Sequence, residues 1–260
     1  MRVLDAGHRL LSATGARTRA RERDVVDLPA PVGPPGGRLQ VGELASPLAA
    51  ARLAAAAPRL LAAPRGDGHL VVDIPGWRAP ELTGAPLRAY LRRLGYDARS
   101  WGFGTNVGDT GADVARLSSR LLELVEQAGR PASLVGWSLG GVVAREVARR
   151  HPEAVRRVVT YGTPVVGGPT FTSAARSFET APDREGWRLA ARLDAESPIC
   201  VPLTAMYSRR DGVVSWQACL DRTTPGAEHV EVSSRHVGMG VDPDVWAVVA
   251  DRLARRDTTG

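Results

Sequence analysis

Short apolar runs alternate with helix-like segments along the chain from Leu70 onward. A short apolar run bounded by Gly or Pro indicates a buried strand, whereas apolar residues that recur every three or four positions indicate a helix. The predicted strands are 70–74, 96–101, 132–136, 155–161, 201–207 and 228–232. The predicted helices of this part are 85–94, 113–128, 140–150 and 243–255. The pattern therefore predicts about six strands with helices between them.

This alternation is typical of βαβ units, in which helices join parallel strands and cover both faces of the sheet. We therefore predict an α/β fold with a mainly parallel sheet. Residues 165–198 interrupt the alternation, because they contain no strand-like run and only weak helical segments. Ligands of an open α/β sheet bind outside the carboxyl ends of its strands. We expect this insertion to form a short helical lid over a site at that edge.

Residues 1–69 differ from the body at 70–260, and we predict that they form an N-terminal leader. Pro and Gly are so frequent at 28–38 that no helix or central strand can run through that stretch. The Ala-rich stretch 45–63 predicts a helix that packs on the body and that Pro58 can divide. An alternative is that this helix lies on a membrane surface, although it carries few charges on its polar side.

Composition and charge narrow the classes of function. The hydrophobic content of 43% is that of an ordinary globular protein, and no apolar run approaches the roughly 18 residues of a membrane-spanning helix. The first residues lack the apolar core of a secretory signal, so we predict a cytoplasmic protein. All 34 basic residues are Arg, but they are spread along the chain without aromatic partners that could stack on bases. We therefore expect no nucleic-acid partner.

The candidate nucleophile is Ser138, at the centre of the sequence Gly-Trp-Ser-Leu-Gly at 136–140. A G-x-S-x-G stretch is specific only where it joins a strand to a helix, because the turn is then so tight that small residues must flank the Ser. Here the predicted strand 132–136 precedes it and the predicted helix 140–150 follows it. We interpret the stretch as a nucleophile elbow, the alternative being a plain tight turn.

A Ser hydroxyl needs a base within reach and a carboxylate that orients the base. His236 and Asp211 are the candidates, because each follows a predicted strand and because the order Ser, acid, His is the one that this kind of elbow requires. The other histidines are weaker candidates, because they lie in the leader, before or inside a strand, or at a helix end. The other acids are weaker because they lie in the insertion or beyond the loop that contains Asp211. These competitors are His8, His69, His151, His229, Asp183, Asp194 and Asp221.

The oxyanion of an acyl-transfer intermediate needs two hydrogen-bond donors that are already in place, usually backbone N–H groups. One predicted donor is Leu139, directly after the nucleophile. The other is Trp77, in the loop after the first body strand, where Gly76 permits close approach of the backbone. We predict substrate contacts from Trp77, Trp137 and Phe171. Further aromatic residues that could lie near the mouth are Trp101, Phe103 and Phe178.

Four motifs occur in a fixed order over the body of the chain. They are Pro-Gly at 75–76, Gly-Trp-Ser-Leu-Gly-Gly at 136–141, Tyr-Ser-Arg-Arg-Asp-Gly-Val-Val at 207–214 and Ser-Arg-His-Val-Gly at 234–238. Together they resemble the α/β-hydrolase superfamily and, within it, the bacterial lipase/esterase-type members.

The resemblance implies the α/β-hydrolase fold and a catalytic triad of Ser138, Asp211 and His236, and it says much less about the substrate. The chain also departs from the usual pattern. No leading strands are visible before Leu70, and the oxyanion loop has no His-Gly or Gly-Gly-Gly run. Asp73 interrupts a strand that should be apolar. The one explanation that we can offer is a hydrogen-bond partner near its side chain.

We hypothesise two-step acyl transfer, in which Ser138 attacks an ester carbonyl and His236 takes and returns the proton. The aromatic residues and the insertion favour a medium-chain acyl ester, either a small molecule or a lipid-like one. No cluster of His, Cys or carboxylates has metal-ligand spacing, so we expect no metal and no organic cofactor. Two alternatives are an acyltransferase or thioesterase with the same triad, and a non-catalytic binding protein of the same fold.

Overall fold

One sheet of seven strands organises the computed structural model, which describes residues 20–24, 28–178, 192–194 and 196–255. The strands are β1 (Arg21–Arg23), β2 (Leu70–Ile74), β3 (Asp97–Ser100), β4 (Ala132–Trp137), β5 (Val155–Tyr161), β6 (Leu203–Tyr207) and β7 (Glu228–Glu231). Their order across the sheet is β1-β7-β6-β5-β4-β2-β3. Only β1 is antiparallel to its neighbour among the pairs that these residues form. The predicted α/β fold is confirmed.

Helices cover both faces of this sheet. The α-helices that the structure describes over their whole length are α1 (Gly37–Gly42), α2 (Leu48–Ala55), α3 (Ala57–Leu61), α4 (Ala85–Arg93), α5 (Thr110–Ala128), α6 (Leu139–Arg150) and α7 (Pro243–Ala254). Of these, α1 buries none of its residues and takes no part in the core. Side chains of the central strands alternate between the two faces: Leu134 and Val158 pack with α5 and α6, whereas Val135 and Val159 pack with α4 and α7. Each such side chain contributes roughly 1.5–3 kcal/mol when it is fully buried. Strands with two apolar faces therefore form the core, as parallel sheets require.

The sequence predicted about six strands, and the structure adds the edge strand β1, which gives the sheet seven. Arg21 pairs with Glu231 and Arg23 pairs with His229 of β7. The three residues of β1 carry no apolar pattern that could announce a strand. Ion pairs hold them at the edge of the sheet instead, since Glu22 lies 2.6 Å from Arg252 of α7.

Local signals set the ends of α5, which begins three residues before the prediction of 113. The side chain of Asp109 accepts a hydrogen bond from the backbone N–H of Ala112 at 3.1 Å and so caps the first turn. Gly129 ends the helix with φ at 67°, a left-handed conformation that Gly adopts without steric cost. The helix starts earlier than its apolar pattern because the cap, rather than the first apolar residue, determines the first turn.

The helix predicted at 45–63 is divided into α2 and α3, with Pro58 in the first turn of α3. Leu60 is buried and Leu53 packs against the same core, on the face that α4 and α7 cover. Arg52 of α2 forms ion pairs with Asp242 at 2.7 Å and with Asp244 at 2.8 Å. These contacts attach the described part of the leader to the body. The first 19 residues of the leader lie outside the described part of the chain.

The predicted lid at 165–198 is described only in part. Two short 3₁₀ turns, Gly168–Phe171 and Ala175–Phe178, follow β5. Thr172 forms an isolated antiparallel bridge with Val214 in the loop after β6. This part of the insertion therefore lies at the carboxyl ends of the strands. Residues 179–191 and 195 lie outside the described residues.

Candidate active site

Ser138 occupies the turn between β4 and α6 with φ at 52° and ψ at −122°. A positive φ is uncommon for a residue with a side chain, and such a conformation costs of order 1–3 kcal/mol. The backbone N–H of Ser138 donates to the carbonyl of Tyr161 on the neighbouring strand at 2.9 Å, which helps to hold the turn. Strain of this kind, maintained by the surrounding structure, is characteristic of functional sites.

The glycines around Ser138 are explained by the close approach of backbones. A Cβ built at Gly140 would overlap the carbonyl oxygens of Ile74 and Pro75, at the end of β2. A Cβ at Gly136 would overlap the backbone of Gly141. The strand-to-helix turn therefore packs directly against the end of β2 and the loop after it. A side chain at Gly140 would displace that backbone, and a side chain at Gly136 would displace the start of α6.

His236 and Asp211 meet through a buried hydrogen bond. Nδ1 of His236 lies 2.7 Å from Oδ2 of Asp211, and the ring nitrogen donates because a carboxylate can only accept. The other oxygen, Oδ1, accepts from the backbone N–H groups of Val213 at 2.8 Å and Val214 at 2.7 Å. We call residues 208–214 the acid loop and residues 232–238 the histidine loop. Their packing orients the imidazole, as a base in acyl transfer requires.

Ser138 and His236 line one cavity of about 200 Å³, which is bounded mainly by apolar groups. Its wall combines the loop after β2, the elbow, the described insertion, the acid loop and the histidine loop. The lining residues are Gly76, Trp77, Trp137, Ser138, Leu139, Pro164, Pro169, Thr172, Ala174, Val213, Val214, His236 and Val237. The structure thus brings the predicted nucleophile, the predicted base and both predicted oxyanion residues to one cavity.

Two of the three predicted substrate contacts reach this cavity. Trp77 and Trp137 line it, and the Trp137 ring lies 5.6 Å from the His236 ring, centroid to centroid. Phe171 is absent from the described lining residues. It packs instead against a small buried cluster that includes Tyr207 and Val214.

Trp101 and Phe103 do not lie at the mouth of the cavity, contrary to the expectation. Their rings pack edge to face at 5.6 Å in the core beneath α5. The Nε1–H of Trp101 donates to the carbonyl of Gly104 at 2.9 Å. Both residues follow β3, which is an edge strand and thus lies two strands away from the elbow. The side chain of Phe178 lies outside the described part of the chain.

The loop after β2 is held in a specific conformation next to the elbow. Arg78 has φ at 56°, and its backbone N–H donates to the carbonyl of Asn106 at 2.7 Å. The buried side chain of Asn106 donates to the carbonyl of Pro75 at 2.9 Å. In the elbow itself, Leu139 is the first residue of α6, so its N–H has no acceptor within the helix. The two predicted oxyanion residues, Trp77 and Leu139, therefore sit on backbones with defined positions.

The histidines that competed with His236 lie elsewhere. His69 precedes β2, where Nδ1 is 2.8 Å from Oδ1 of Asp67. His151 follows the end of α6, and His229 lies within β7. His8 lies outside the described residues. None of the competing histidines that the structure describes lines the cavity.

The acids that competed with Asp211 serve an ion-pair network. The buried guanidinium of Arg145 on α6 binds Asp221 and lies 2.8 Å from Asp194. Their carboxylates are thus committed to a cation rather than to a histidine. Asp183 lies outside the part of the chain that the structure describes.

The structure identifies Arg88 as the hydrogen-bond partner expected near Asp73. The Nη1 of Arg88 on α4 donates to Oδ2 of Asp73 at 2.6 Å, and both side chains are buried. Burial raises the pKa of Asp73 to about 6, against the opposing effect of the Arg88 charge. A Cβ at Gly84 would overlap the Asp73 carboxylate, so the pair is tightly enclosed. Asp73 interrupts the apolar strand because it anchors α4.

Two residues outside the predicted set hold the loops of the site. Asn106 binds the loop after β2, and Glu43 accepts backbone hydrogen bonds from both the acid loop and the histidine loop. One sequence signal could have indicated Glu43, because it is the only acidic residue between Asp27 and Asp67. An isolated carboxylate in a stretch rich in Ala, Pro and Gly indicates a specific polar contact.

Two further properties bear on the chemistry of the site. Within the described ranges, no group of three or more His, Cys, Asp or Glu side chains is arranged to hold a metal ion. The helices of those ranges also include none with both the length and the apolar character to cross a membrane.

Segments of this sequence are similar to segments of known proteins. Pimeloyl-[acyl-carrier protein] methyl ester esterase of Edwardsiella ictaluri (strain 93-146) is 39% identical over 99 residues, which are 37% of this chain and 33% of that protein. The enzyme of the same name from Klebsiella pneumoniae (strain 342) is 39% identical over 117 residues, which are 42% of this chain and 40% of that protein. The matched segments thus span well under half of these relatives.

Solved structures share the fold at low identity. Alpha/beta hydrolase domain-containing protein 10 from mouse superposes with a TM-score of 0.55 at 18% identity, over 73% of this chain and 90% of that chain. The monoacylglycerol lipase of Paleococcus ferrophilus gives 0.55 at 14% identity, over 74% and 96%. A family model described as the alpha/beta hydrolase family matches residues 58–258, which include every strand from β2 to β7. The chain therefore belongs to the alpha/beta hydrolase family.

Proposed function

We propose that this chain is a serine esterase that cleaves carboxylic esters through an acyl-enzyme on Ser138. The observation that carries the proposal is the 2.7 Å hydrogen bond between the buried Asp211 and His236, which lines the same cavity as Ser138. A base held by a buried carboxylate beside a strained Ser is the arrangement that activates a hydroxyl as a nucleophile.

In the proposed reaction, Oγ of Ser138 attacks the ester carbonyl while Nε2 of His236 takes its proton. The backbone N–H of Leu139, and that of Trp77 as the predicted second donor, stabilise the negative charge on the carbonyl oxygen. Collapse of the intermediate breaks the bond to the alkoxy group, which leaves as an alcohol with the proton from His236. A water molecule then attacks the acyl-enzyme and loses its proton to His236. The bond between the acyl carbon and Oγ of Ser138 breaks, His236 returns the proton to Oγ, and the acid is released.

The substrate that we propose is an ester with an apolar acyl chain. The cavity walls are mainly apolar and include Trp77 and Trp137, which suits a hydrocarbon chain better than a polar group. The names of the relatives specify the methyl ester of a pimeloyl group carried by an acyl-carrier protein. Methyl esters of medium-chain acyl groups are therefore the first substrates to test. The cytoplasmic location stays a prediction.

The test is hydrolysis of p-nitrophenyl and methyl esters across a series of acyl lengths, with Ser138→Ala beside the wild type. We expect kcat to fall by about 10³-fold or more in the variant, because the nucleophile is lost while the fold remains. A fluorophosphonate probe should label the wild type and leave the variant unlabelled.

The matched control is Ser119→Ala, at an exposed position on α5 that does not line the cavity. This variant should keep the activity and the labelling of the wild type. Equal activity in wild type and Ser138→Ala would rule out the proposed nucleophile. Absence of both turnover and labelling in the wild type would reject the esterase function as a whole.

A further inference from the structure

Glu43, in the 3₁₀ turn Glu43–Ala45 of the leader, binds the backbone of both catalytic loops. Its Oε1 accepts hydrogen bonds from the N–H of Gly212 in the acid loop at 2.8 Å and from the N–H of His236 in the histidine loop at 3.0 Å. Its Oε2 accepts from the N–H of Val237 at 3.0 Å. One carboxylate oxygen thus connects Gly212 and His236, which lie 24 residues apart in the sequence.

The backbone of the leader fits closely against the same two loops. A Cβ at Gly212 would overlap the carbonyl of Leu39, and a Cβ at Gly238 would lie 3.3 Å from Ala49. The hydroxyl of Ser46 donates to Oε2 of Glu43 at 3.0 Å and so orients the carboxylate from its own side. Glu43 is therefore held at its place rather than free to follow the loops.

We propose that Glu43 is a positioning residue, which sets the relative position of the acid loop and the histidine loop and thereby aligns His236 with Asp211 and Ser138. The alignment of His236 with Ser138 rests on the proposed function, whereas the alignment of His236 with Asp211 can be measured without turnover.

The N–H groups that Glu43 binds belong to loops, and not to the hydrogen-bond ladder of a sheet or helix. A carboxylate that accepts from backbone N–H groups forms charge-assisted hydrogen bonds, which are about twice as strong as neutral ones. Loss of this acceptor leaves the N–H groups of His236 and Val237 to be satisfied by water, and the histidine loop can then shift. A displacement of about 1 Å at a reacting group can reduce a rate by roughly 100-fold.

The experiment compares Glu43→Ala and Glu43→Gln with the wild type in kcat, KM and thermal unfolding. We expect Glu43→Ala to lower kcat by about 100-fold with little change in KM, because the base is displaced while the cavity walls remain. Glu43→Gln keeps one carbonyl oxygen that can accept from Gly212 and His236. It should therefore hold kcat within about tenfold of the wild type.

The control for a merely structural effect is Arg52→Ala, which removes the ion pairs of the same leader with Asp242 and Asp244. It should lower the unfolding temperature and leave kcat near the wild-type value at a temperature well below unfolding. Equal losses of kcat in Arg52→Ala and Glu43→Ala would overturn the proposal, because Glu43 would then act only through general stability.

A second measurement separates this proposal from the esterase function. The proton on Nδ1 of His236 that bonds Asp211 should give a low-field NMR signal, assigned by its loss in Asp211→Ala. We expect Glu43→Ala to broaden or shift this signal, Glu43→Gln to restore it and Arg52→Ala to leave it in place. An unchanged signal in Glu43→Ala would overturn the positioning role even if the protein hydrolysed no ester. A wild type that keeps the signal but lacks turnover would count against the proposed function alone.

Discussion

The two oxygens of the Asp211 carboxylate have separate partners. Oδ1 accepts from the backbone N–H groups of Val213 and Val214, so the acid loop itself fixes the side chain. Oδ2 is then directed at Nδ1 of His236. This division keeps the proton of the imidazole on Nδ1 and leaves Nε2 able to accept a proton from a hydroxyl.

Replacement of Asp211 by Asn tests this division of roles. The Asn oxygen can keep the bonds to the acid loop, while its NH₂ group faces His236 and obliges Nδ1 to accept. The proton then lies on Nε2, which can no longer act as a base, and we expect kcat to fall by about 10³- to 10⁴-fold with the fold retained. Steady-state kinetics with unfolding curves measure both effects. The control is Asp97→Asn on β3, where the carboxylate is half-buried and pairs with Arg99. An Asp211→Asn variant within about threefold of the wild-type kcat would contradict the assignment.

The loop that joins β2 to α4 depends on a residue from a different element. Asn106, in the segment between β3 and α5, is fully buried and binds this loop at three points. Its side chain donates to Pro75, its backbone carbonyl accepts from Arg78, and its N–H donates to Ala79. The position of Trp77 is therefore set by the packing of two loops against each other, and not by the strand that precedes it.

We expect Asn106→Ala to lower both activity and stability. The carbonyl of Pro75 would lose its donor inside the protein, which costs roughly 1–3 kcal/mol of unfolding free energy. The loop would also shift, so kcat should fall by about tenfold at temperatures well below unfolding. Urea unfolding and ester hydrolysis measure the two effects. The control is Thr83→Val, which removes an exposed hydrogen bond to the carbonyl of Pro80 and should change neither kcat nor the unfolding free energy. A wild-type kcat in Asn106→Ala would count against a role for this loop.

Ionisable groups buried along the sheet link the stability of the whole molecule to pH. Burial lowers the pKa of His69 below 6.5, and the Arg156 charge lowers it further, against the hydrogen bond to Asp67. The unfolded chain therefore takes up a proton at His69 more readily, so the folded state loses stability as the pH falls below 6.5. Burial raises the pKa of Asp73 from 3.8 to about 6. The folded state consequently loses stability as the pH rises from about 4 to 6, the opposite sign.

Two variants should separate these contributions. Relative to His69→Gln, the wild type should lose unfolding free energy as the pH falls from 7 to 5, by at most about 1.4 kcal/mol per pH unit. Relative to Asp73→Asn, the wild type should lose unfolding free energy as the pH rises from about 4 to 6. Urea unfolding at a series of pH values measures both differences. Parallel curves for wild type and His69→Gln would mean that His69 titrates alike in the folded and unfolded states.

The alternation of strands and helices could be predicted from the sequence alone. So could the positions of Ser138, Asp211 and His236, each of which follows a strand of the sheet. Apolar periodicity is a local property, because a strand between two covered faces needs continuous apolar residues and a helix needs a stripe. The elbow is local only in part. Gly136 must be small because the backbone of Gly141 lies close to it, whereas Gly140 must be small because of the carbonyl oxygens of Ile74 and Pro75, which a distant segment supplies. For the periodicity of the strands and helices, the residues of one short segment contain the whole physical requirement.

Only the tertiary structure decided which distant segments meet. The strand β1 exists through pairing with β7 and through the ion pair of Glu22 with Arg252, neither of which leaves an apolar pattern in its own residues. Glu43 meets the histidine loop almost 200 residues away, and Asp73 meets Arg88 across a loop. Phe171 packs with the cluster that contains Tyr207 and Val214, two residues from other parts of the chain. Each of these outcomes depends on a partner that the local sequence does not contain, and so it follows from packing rather than from pattern.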